Sequence, residues 1–384
     1  MSEVPTAFVG TRLKQAREVF GLSVESLGDM LGVSRQAVDQ FEKGKEPSLE
    51  VLLKLCSILN KPTSYFVRPV TASYADETIF FRKLKKAPAV EIKSARSIAD
   101  WIGEVVCLLD EEINFPEVNL PRNLIRHKNP LQITDEEIEL AANNLRSYWC
   151  LADLPVENVI ALLEANGIIV VRMNFHSHDV DGFSVWDKKI DRPIVVLNSD
   201  KASAVRSRFD AAHELGHLVM HRWISKDDLK AYDKELERQA HYFASCLLLP
   251  EEPFKQQLFT ISMLELRALK AYWKVSIAAM IKRLESLNII DKDESRRIWA
   301  NYNRRGWKTE EPFDKEWEAE SPVLLKEAVE LLIESESYNR MQLLERLFPD
   351  ENYLAKFTNL DPEFYRPVPV VSVKQSPVNL KLAR

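Results

Sequence analysis

The sequence predicts a mainly α chain with a small β-sheet, an α+β architecture. Three observations carry that expectation. Apolar residues recur at three- and four-residue spacing through most of the 384 residues. Three short β-branched runs, at 168–171, 183–186 and 193–198, break that helical period. Only ten glycines are present, well under half the roughly 7% usual in soluble proteins. No G-x-G and no G-x-x-x-x-G-K occurs, which excludes a Rossmann dinucleotide site and a P-loop. At 46% hydrophobic and 29% charged residues the chain can bury a sizeable core. The length suggests about two to three domains.

No apolar run of about 18 residues exists, so no membrane span is expected. The first ten residues lack a basic patch followed by an apolar stretch, so a cytoplasmic location is expected. Cys56, Cys107, Cys150 and Cys246 form no C-x-x-C pair and are expected to be buried thiols. Residues 1–96 hold 15 basic and 11 acidic residues, a net +4, whereas the remainder carries −10. A mildly basic amino-terminal unit is therefore joined to an acidic body.

In chain order, Leu13, Ala16, Arg17 and Phe20 share one helical face, and Gly21 ends that helix. Ser23 caps a second helix over 24–31, Gly32-Val33 turns, and Ser34 caps a third, whose buried face is Ala37, Val38 and Phe41. Gly44 ends the third, and Pro47-Ser48 starts a fourth with Val51, Leu52, Leu55 and Leu59. Short helix, tight glycine turn, short helix is the helix-turn-helix pattern.

Residues 71–78 are polar and mark a boundary, and 79–86 read as a short basic strand or turn. Helical patterning returns over 91–112. Pro116, Pro121 and Pro130 break the next loop, and Thr134 with the acids 135–137 starts a helix carrying Ile138, Ala141, Leu145 and Trp149. Another helix spans 155–165. The β-branched runs then suggest about three strands, the last two forming a hairpin.

Residues 208–221 read R-F-D-A-A-H-E-L-G-H-L-V-M-H, with H-E-x-x-H inside a helical stretch. Four-residue spacing puts His213 and His217 on one helix face, where both imidazoles can reach one metal ion. Glu214 beside them is placed to take a proton from the attacking water. His221 lies eight residues past His213, a rise of about 12 Å, too far for the same ion. It is expected beside the ligands or at the helix end. A second helix begins near Leu236 and carries Glu237, 20 residues past His217, as the candidate third ligand. Zinc is the expected ion, with manganese the alternative.

Two segments carry family resemblances. G-L-S at 21–23, L-G-V-S at 31–34, F-E-K-G at 41–44 and P-S at 47–48 resemble the Cro/repressor-type (XRE) helix-turn-helix family. That likeness implies a dimer on double-stranded operator DNA. Arg35, Gln36 and Gln40 would meet base edges, and Lys43 and Lys45 the phosphates. H-E-L-G-H with the downstream E-x-x-A-x-x-F-A and a closing apolar-Pro resembles the ImmA/IrrE metallopeptidases, with Glu237 at the ligand position of a gluzincin-type zincin domain. Gln239 stands where many members carry a second Glu. The likeness to the group that fuses both domains covers about residues 10–310. His241 and Tyr242 are the candidates for stabilising an oxyanion.

The carboxy-terminal third is helical in pattern over 263–290 and 322–347. Ser276 is read as a cap, 304–308 as a basic turn, and 365–384 as an extended segment. The expected division is 1–70 for DNA binding, 71–130 for a linker and helix, and 131–260 for the peptidase. A helical domain at 261–350 and an extended tail at 351–384 complete it.

The function implied is a DNA-binding transcriptional regulator with a zinc-dependent endopeptidase that cleaves a repressor-like protein in stress or mobile-element control. The substrate is expected to lie as an added strand along 194–198. The alternative is an antitoxin or autorepressor that binds its own promoter and a toxin, its zinc domain structural or weakly active.

Overall fold

The computed structural model describes residues 7–71, 79–81, 88–175, 181–199 and 203–366. The amino-terminal helices are α1 (Gly10–Val19), α2 (Val24–Leu31), α3 (Arg35–Glu42), α4 (Leu49–Ile58) and α5 (Thr63–Val67). Ser23, Ser34 and Ser48 cap α2, α3 and α4 by accepting from the amides of Ser26, Ala37 and Val51. Gly32, at φ 73°, closes α2 in the left-handed region that favours glycine. Each boundary therefore has a local cause in the sequence.

Strand β1 (Ile79–Phe81) leads into the long helix α6 (Ala89–Asp110), followed by α7 (Asp135–Tyr148) and α8 (Val159–Ala165). A capping box between Thr134 and Glu137 fixes the start of α7. Then come β2 (Ile169–Met173), β3 (Gly182–Asp187), β4 (Arg192–Asn198), α9 (Ala204–Met220), α10 (Lys226–Ala231), α11 (Asp233–Leu248) and α12 (Glu251–Gln256). The last helices are α13 (Met263–Trp273), α14 (Ile277–Ser286), α15 (Lys292–Arg304), α16 (Leu324–Glu334), α17 (Arg340–Leu347) and α18 (Glu351–Thr358).

The sheet has four strands in the order β1-β3-β4-β2. β2 runs parallel to β4, while β3 is antiparallel to both β4 and β1. Three strands were expected; the fourth comes from the segment read as a strand or turn. β4 is central and buried along its whole length, so its backbone is already paired on both sides. It therefore cannot accept the added substrate strand expected along 194–198.

Strand alternation sends the sheet into two cores. Val195 and Leu197 pack with α7, α8, α9, α11 and α13–α15. Ile194 and Val196 pack with the amino-terminal helices, α6 and α16–α18. The division expected from sequence does not follow these cores. Helix α6, assigned to a linker, is central to the second, with Trp101, Ile102, Val105 and Leu109 fully buried. The 261–350 region splits, with 263–302 in the first core and 325–347 in the second. The segment 351–384, expected to be extended, begins with α18 and a turn of 3-10 helix, Pro362–Tyr365, which bury Leu354, Phe357 and Tyr365. Apolar residues at helical spacing in 354–365 account for this helix; the prolines that suggested an arm, Pro367, Pro369 and Pro377, come after it. Residues 367–384 lie outside the described residues.

Ion pairs bind the amino-terminal helices to this second core. Arg12 is fully buried against Glu104 at 2.8 Å, and Gln15 donates to Asp100. Lys61 pairs with Asp350 and lies over the rings of Trp101 and Tyr353. Cys107 and Cys246 are buried as expected, whereas Cys56 is half-buried and Cys150 exposed. Among the described residues no helix is long and apolar enough to cross a membrane.

Candidate functional site

α9 crosses the first-core face of the sheet, with His213 and His217 one turn apart and almost fully buried. Its partner is α11. Gly216 sets their approach, because a Cβ there would lie 3.1 Å from Phe243 and 3.3 Å from the Ala240 backbone. That closeness lets Glu237, at the start of α11, reach over both imidazoles.

The three donors converge. His213 Nε2 and His217 Nε2 lie 3.1 Å apart, and the Glu237 carboxylate is 3.5 Å from the first and 3.3 Å from the second. The three residues form the one candidate metal cluster among the described residues. Zinc bound tetrahedrally at about 2.0–2.1 Å from nitrogen or oxygen has ligands about 3.3 Å apart. The observed separations bracket that value, so the donor set fits the ion in both chemistry and spacing. Glu237 is one-fifth exposed, whereas both imidazoles are almost fully buried.

Electrostatics agree with a ligand role. Burial pushes the Glu237 carboxyl up, but its bonds to His213 and His217 outweigh burial and hold it far below the ordinary carboxylate range. Burial, reinforced by His217, keeps the His221 imidazole well below its usual value and therefore neutral near pH 7. His221 is not a ligand of the cluster: its Nδ1 lies 2.9 Å from His217 Nδ1, on the side of that ring away from Glu237.

Glu214, only 1% exposed, faces strand β3, where the Ser184 hydroxyl donates to its Oε2 at 2.8 Å. Ser184 was not identified from the sequence. Its one signal was a small polar residue inside the apolar run F-S-V-W. Of the two oxyanion candidates, His241 stacks edge-on against His213 at 4.5 Å between ring centroids. Tyr242 instead directs its hydroxyl to Glu139, 3.4 Å away. A cavity of about 900 Å³ opens beside His241, walled by Phe209, Tyr242, Trp299 and Trp307. It is large enough for several side chains of a bound peptide.

The second candidate surface is α3. Arg35, Gln36, Gln40, Lys43 and Lys45 are all exposed, and Lys45 Nζ donates to Gln40 Oε1 at 2.9 Å. Val38 and Phe41 turn inward and anchor the helix. The basic turn at 304–308 ends α15, with Arg304 and Arg305 exposed.

Comparison with known proteins finds two family profiles. Residues 13–66 match the helix-turn-helix family, and residues 163–285 match a peptidase family described as the IrrE N-terminal-like domain. Among curated proteins, the chain is 48% identical over 46 residues to the helix-turn-helix-type transcriptional regulator YgzD of Bacillus subtilis, 12% of this chain and 70% of that protein. It is 38% identical over 66 residues to the SPbeta prophage-derived helix-turn-helix-type regulator YonR of the same species, 17% of this chain and 61% of that protein. A helix-turn-helix-type transcriptional regulatory protein of Pyrococcus furiosus matches at 40% over 62 residues, 16% of this chain but 19% of its own length.

Proposed function

We propose, for a chain that belongs to the helix-turn-helix-type transcriptional regulators and carries an IrrE N-terminal-like domain, that it binds an operator through α3 and hydrolyses a peptide bond of a partner protein at His213, His217 and Glu237. The convergence of those three donors beside a buried carboxylate is the observation that supports this reading best.

A zinc ion there supplies Lewis-acid polarisation of a carbonyl oxygen and acidifies water. The chain's own residues do the rest. Glu214 is the general base, its carboxylate aimed by Ser184. His241 lies on the cavity side of His213 and suits the developing oxyanion. The aromatic-walled cavity takes the side chains flanking the scissile bond. With β4 central, the outer edge of β3 is the place for an extended substrate, and residues 79–81 now hold that edge. The substrate class is a repressor-like protein.

On DNA, Arg35, Gln36 and Gln40 read base edges while Lys43 and Lys45 meet phosphates, in a dimer on paired half-sites. Residues 1–70 carry this activity and 131–260 the peptidase.

The test is Glu214→Gln beside Glu237→Ala, with metal content, operator binding and repressor cleavage measured together. Glu214→Gln is expected to keep metal and DNA binding while cleavage falls about 10²- to 10⁴-fold. Glu237→Ala is expected to lose most of the metal. Equal metal in Glu237→Ala and wild type would refute the ligand assignment. Unchanged cleavage in Glu214→Gln would refute the peptidase mechanism. A wild type that cleaves nothing but binds its promoter and a toxin would favour the antitoxin reading.

A further inference from the structure

Behind the metal centre runs a chain of hydrogen bonds whose direction is fixed at its two ends. Gln239, fully buried on α11, places its amide nitrogen 2.8 Å from the Pro130 carbonyl oxygen and 3.0 Å from Glu235 Oε1. Both of those groups can only accept, so that atom must be the donating NH₂. The other amide atom is then the carbonyl oxygen, and it lies 3.1 Å from His221 Nε2. An amide oxygen only accepts, so His221 carries its proton on Nε2. His221 Nδ1 and His217 Nδ1 lie 2.9 Å apart, a distance at which they share one proton, so one donates and the other accepts. His217 Nε2 is the atom that meets His213 and Glu237, and a nitrogen that binds a metal carries no proton, so the His217 proton sits on Nδ1 and His221 Nδ1 accepts it.

We propose that His221 and Gln239 are positioning residues that lock His217 in the one tautomer able to bind a metal through Nε2. The inference rests on the reading of His213, His217 and Glu237 as a metal centre. It explains two features that the metal alone does not. The third histidine of the motif is a full turn too far along α9 to be a ligand, yet it is fully buried. A glutamine occupies a buried position facing it. The amide accepts from His221 on one side while its NH₂ satisfies the Pro130 carbonyl on the other, and it adds no charge behind the ligands. Pro130 begins the 3-10 turn Pro130–Gln132 ahead of α7, so the loop before α7 is tied to the metal side of α9. Partners of ligating histidines commonly set tenfold to a hundredfold in metal affinity.

The experiment uses the full chain in wild-type, His221→Phe and Gln239→Met forms. Zinc affinity is measured by competition with a chelating dye. The imidazole tautomers of the metal-free proteins are read by long-range proton–nitrogen NMR on histidine-labelled samples, and thermal unfolding of the metal-free proteins checks the fold. The expected result is a wild type with the His217 proton on Nδ1 and the His221 proton on Nε2. Both variants should then bind zinc about 10- to 100-fold more weakly, with His217 in mixed tautomers at an unchanged unfolding temperature. Wild-type zinc affinity in both variants would overturn the proposal, as would a His217 proton on Nε2 in the wild type. If one variant fails to fold, the other variant and the wild-type tautomers still decide. A wild type that binds no zinc but shows the stated tautomers would refute the metal centre and leave the relay standing.

Discussion

The Ser184 hydroxyl donates a 2.8 Å hydrogen bond to Glu214 Oε2, joining strand β3 to the helix that carries His213 and His217. Both partners are buried, and strand alternation sends Phe183 and Val185 into the opposite core while Ser184 faces α9. A hydrogen bond to a charged group contributes about 1.5–3 kcal/mol. Ser184→Ala should therefore lower cleavage of a partner repressor by about 10- to 100-fold, through kcat rather than KM. Zinc content should stay at the wild-type level, which separates this variant from a ligand loss. A kcat equal to wild type would show that Glu214 is aimed by other contacts.

Lys61 and Asp350 pair 289 residues apart, the longest chain separation among the ion pairs of the described residues. Both are almost fully buried, and the ammonium also lies 4.2 Å and 4.7 Å from the ring centroids of Tyr353 and Trp101. Removing one partner of such a pair leaves an uncompensated buried charge, at a cost of about 3–5 kcal/mol. Lys61→Ala should lower stability by about that amount in urea unfolding. The double change Lys61→Met with Asp350→Leu should recover most of it, since apolar side chains of similar volume can fill the site. A double variant as unstable as the single would mean that the charge pair itself is what holds the amino-terminal helices in place.

Arg283 grips Glu139 with two nitrogens, at 2.6 Å and 2.8 Å, tying α14 to α7. Burial raises the Glu139 carboxyl, but the Arg283 bonds outweigh it and hold it below its ordinary 4.5. A carboxylate whose folded value is depressed stabilises fully above its unfolded value and loses that contribution as pH falls below it. Wild type should thus lose stability as pH drops below about 4.5. Glu139→Gln should be less stable at pH 7 and should show a shallower acid slope. Parallel acid slopes for the two proteins would remove Glu139 from the account.

What was legible in the sequence was local. Ser23, Ser34, Ser48 and Thr134 announce their helices because a cap bonds within three residues of itself. His213 and His217 announce a shared site because one turn of helix fixes their geometry. Glu237 required a likeness to known proteins, since nothing local says that α11 will cross α9 at Gly216. Ser184, His221 and Gln239 acquire their roles only when separate elements meet. The two cores were invisible for the same reason: α6 reads as an ordinary amphipathic helix, and its partners are remote in sequence, in α1 on one side and around α17 and α18 on the other.

The register of β1 supplies a last prediction. Phe80 sits opposite Ser184, so three residues of the segment joining the amino-terminal helices to α6 occupy the outer edge of the strand that aims Glu214. An extended substrate added to β3 competes for that same backbone edge. Proline at a paired position removes a donor and disfavours the ladder, and one such bond contributes about 1 kcal/mol, or about fivefold in the pairing equilibrium. Phe80→Pro should therefore raise the rate of repressor cleavage by about fivefold. The gain should appear as a lower KM, since an open edge admits substrate without altering Glu214. A rate equal to or below that of wild type would show either that residues 79–81 do not exclude substrate or that the substrate strand binds elsewhere. Cleavage by wild type measured with and without operator DNA then tells whether DNA binding shifts the same equilibrium: a change in KM that Phe80→Pro abolishes is the expected sign of a link through this strand.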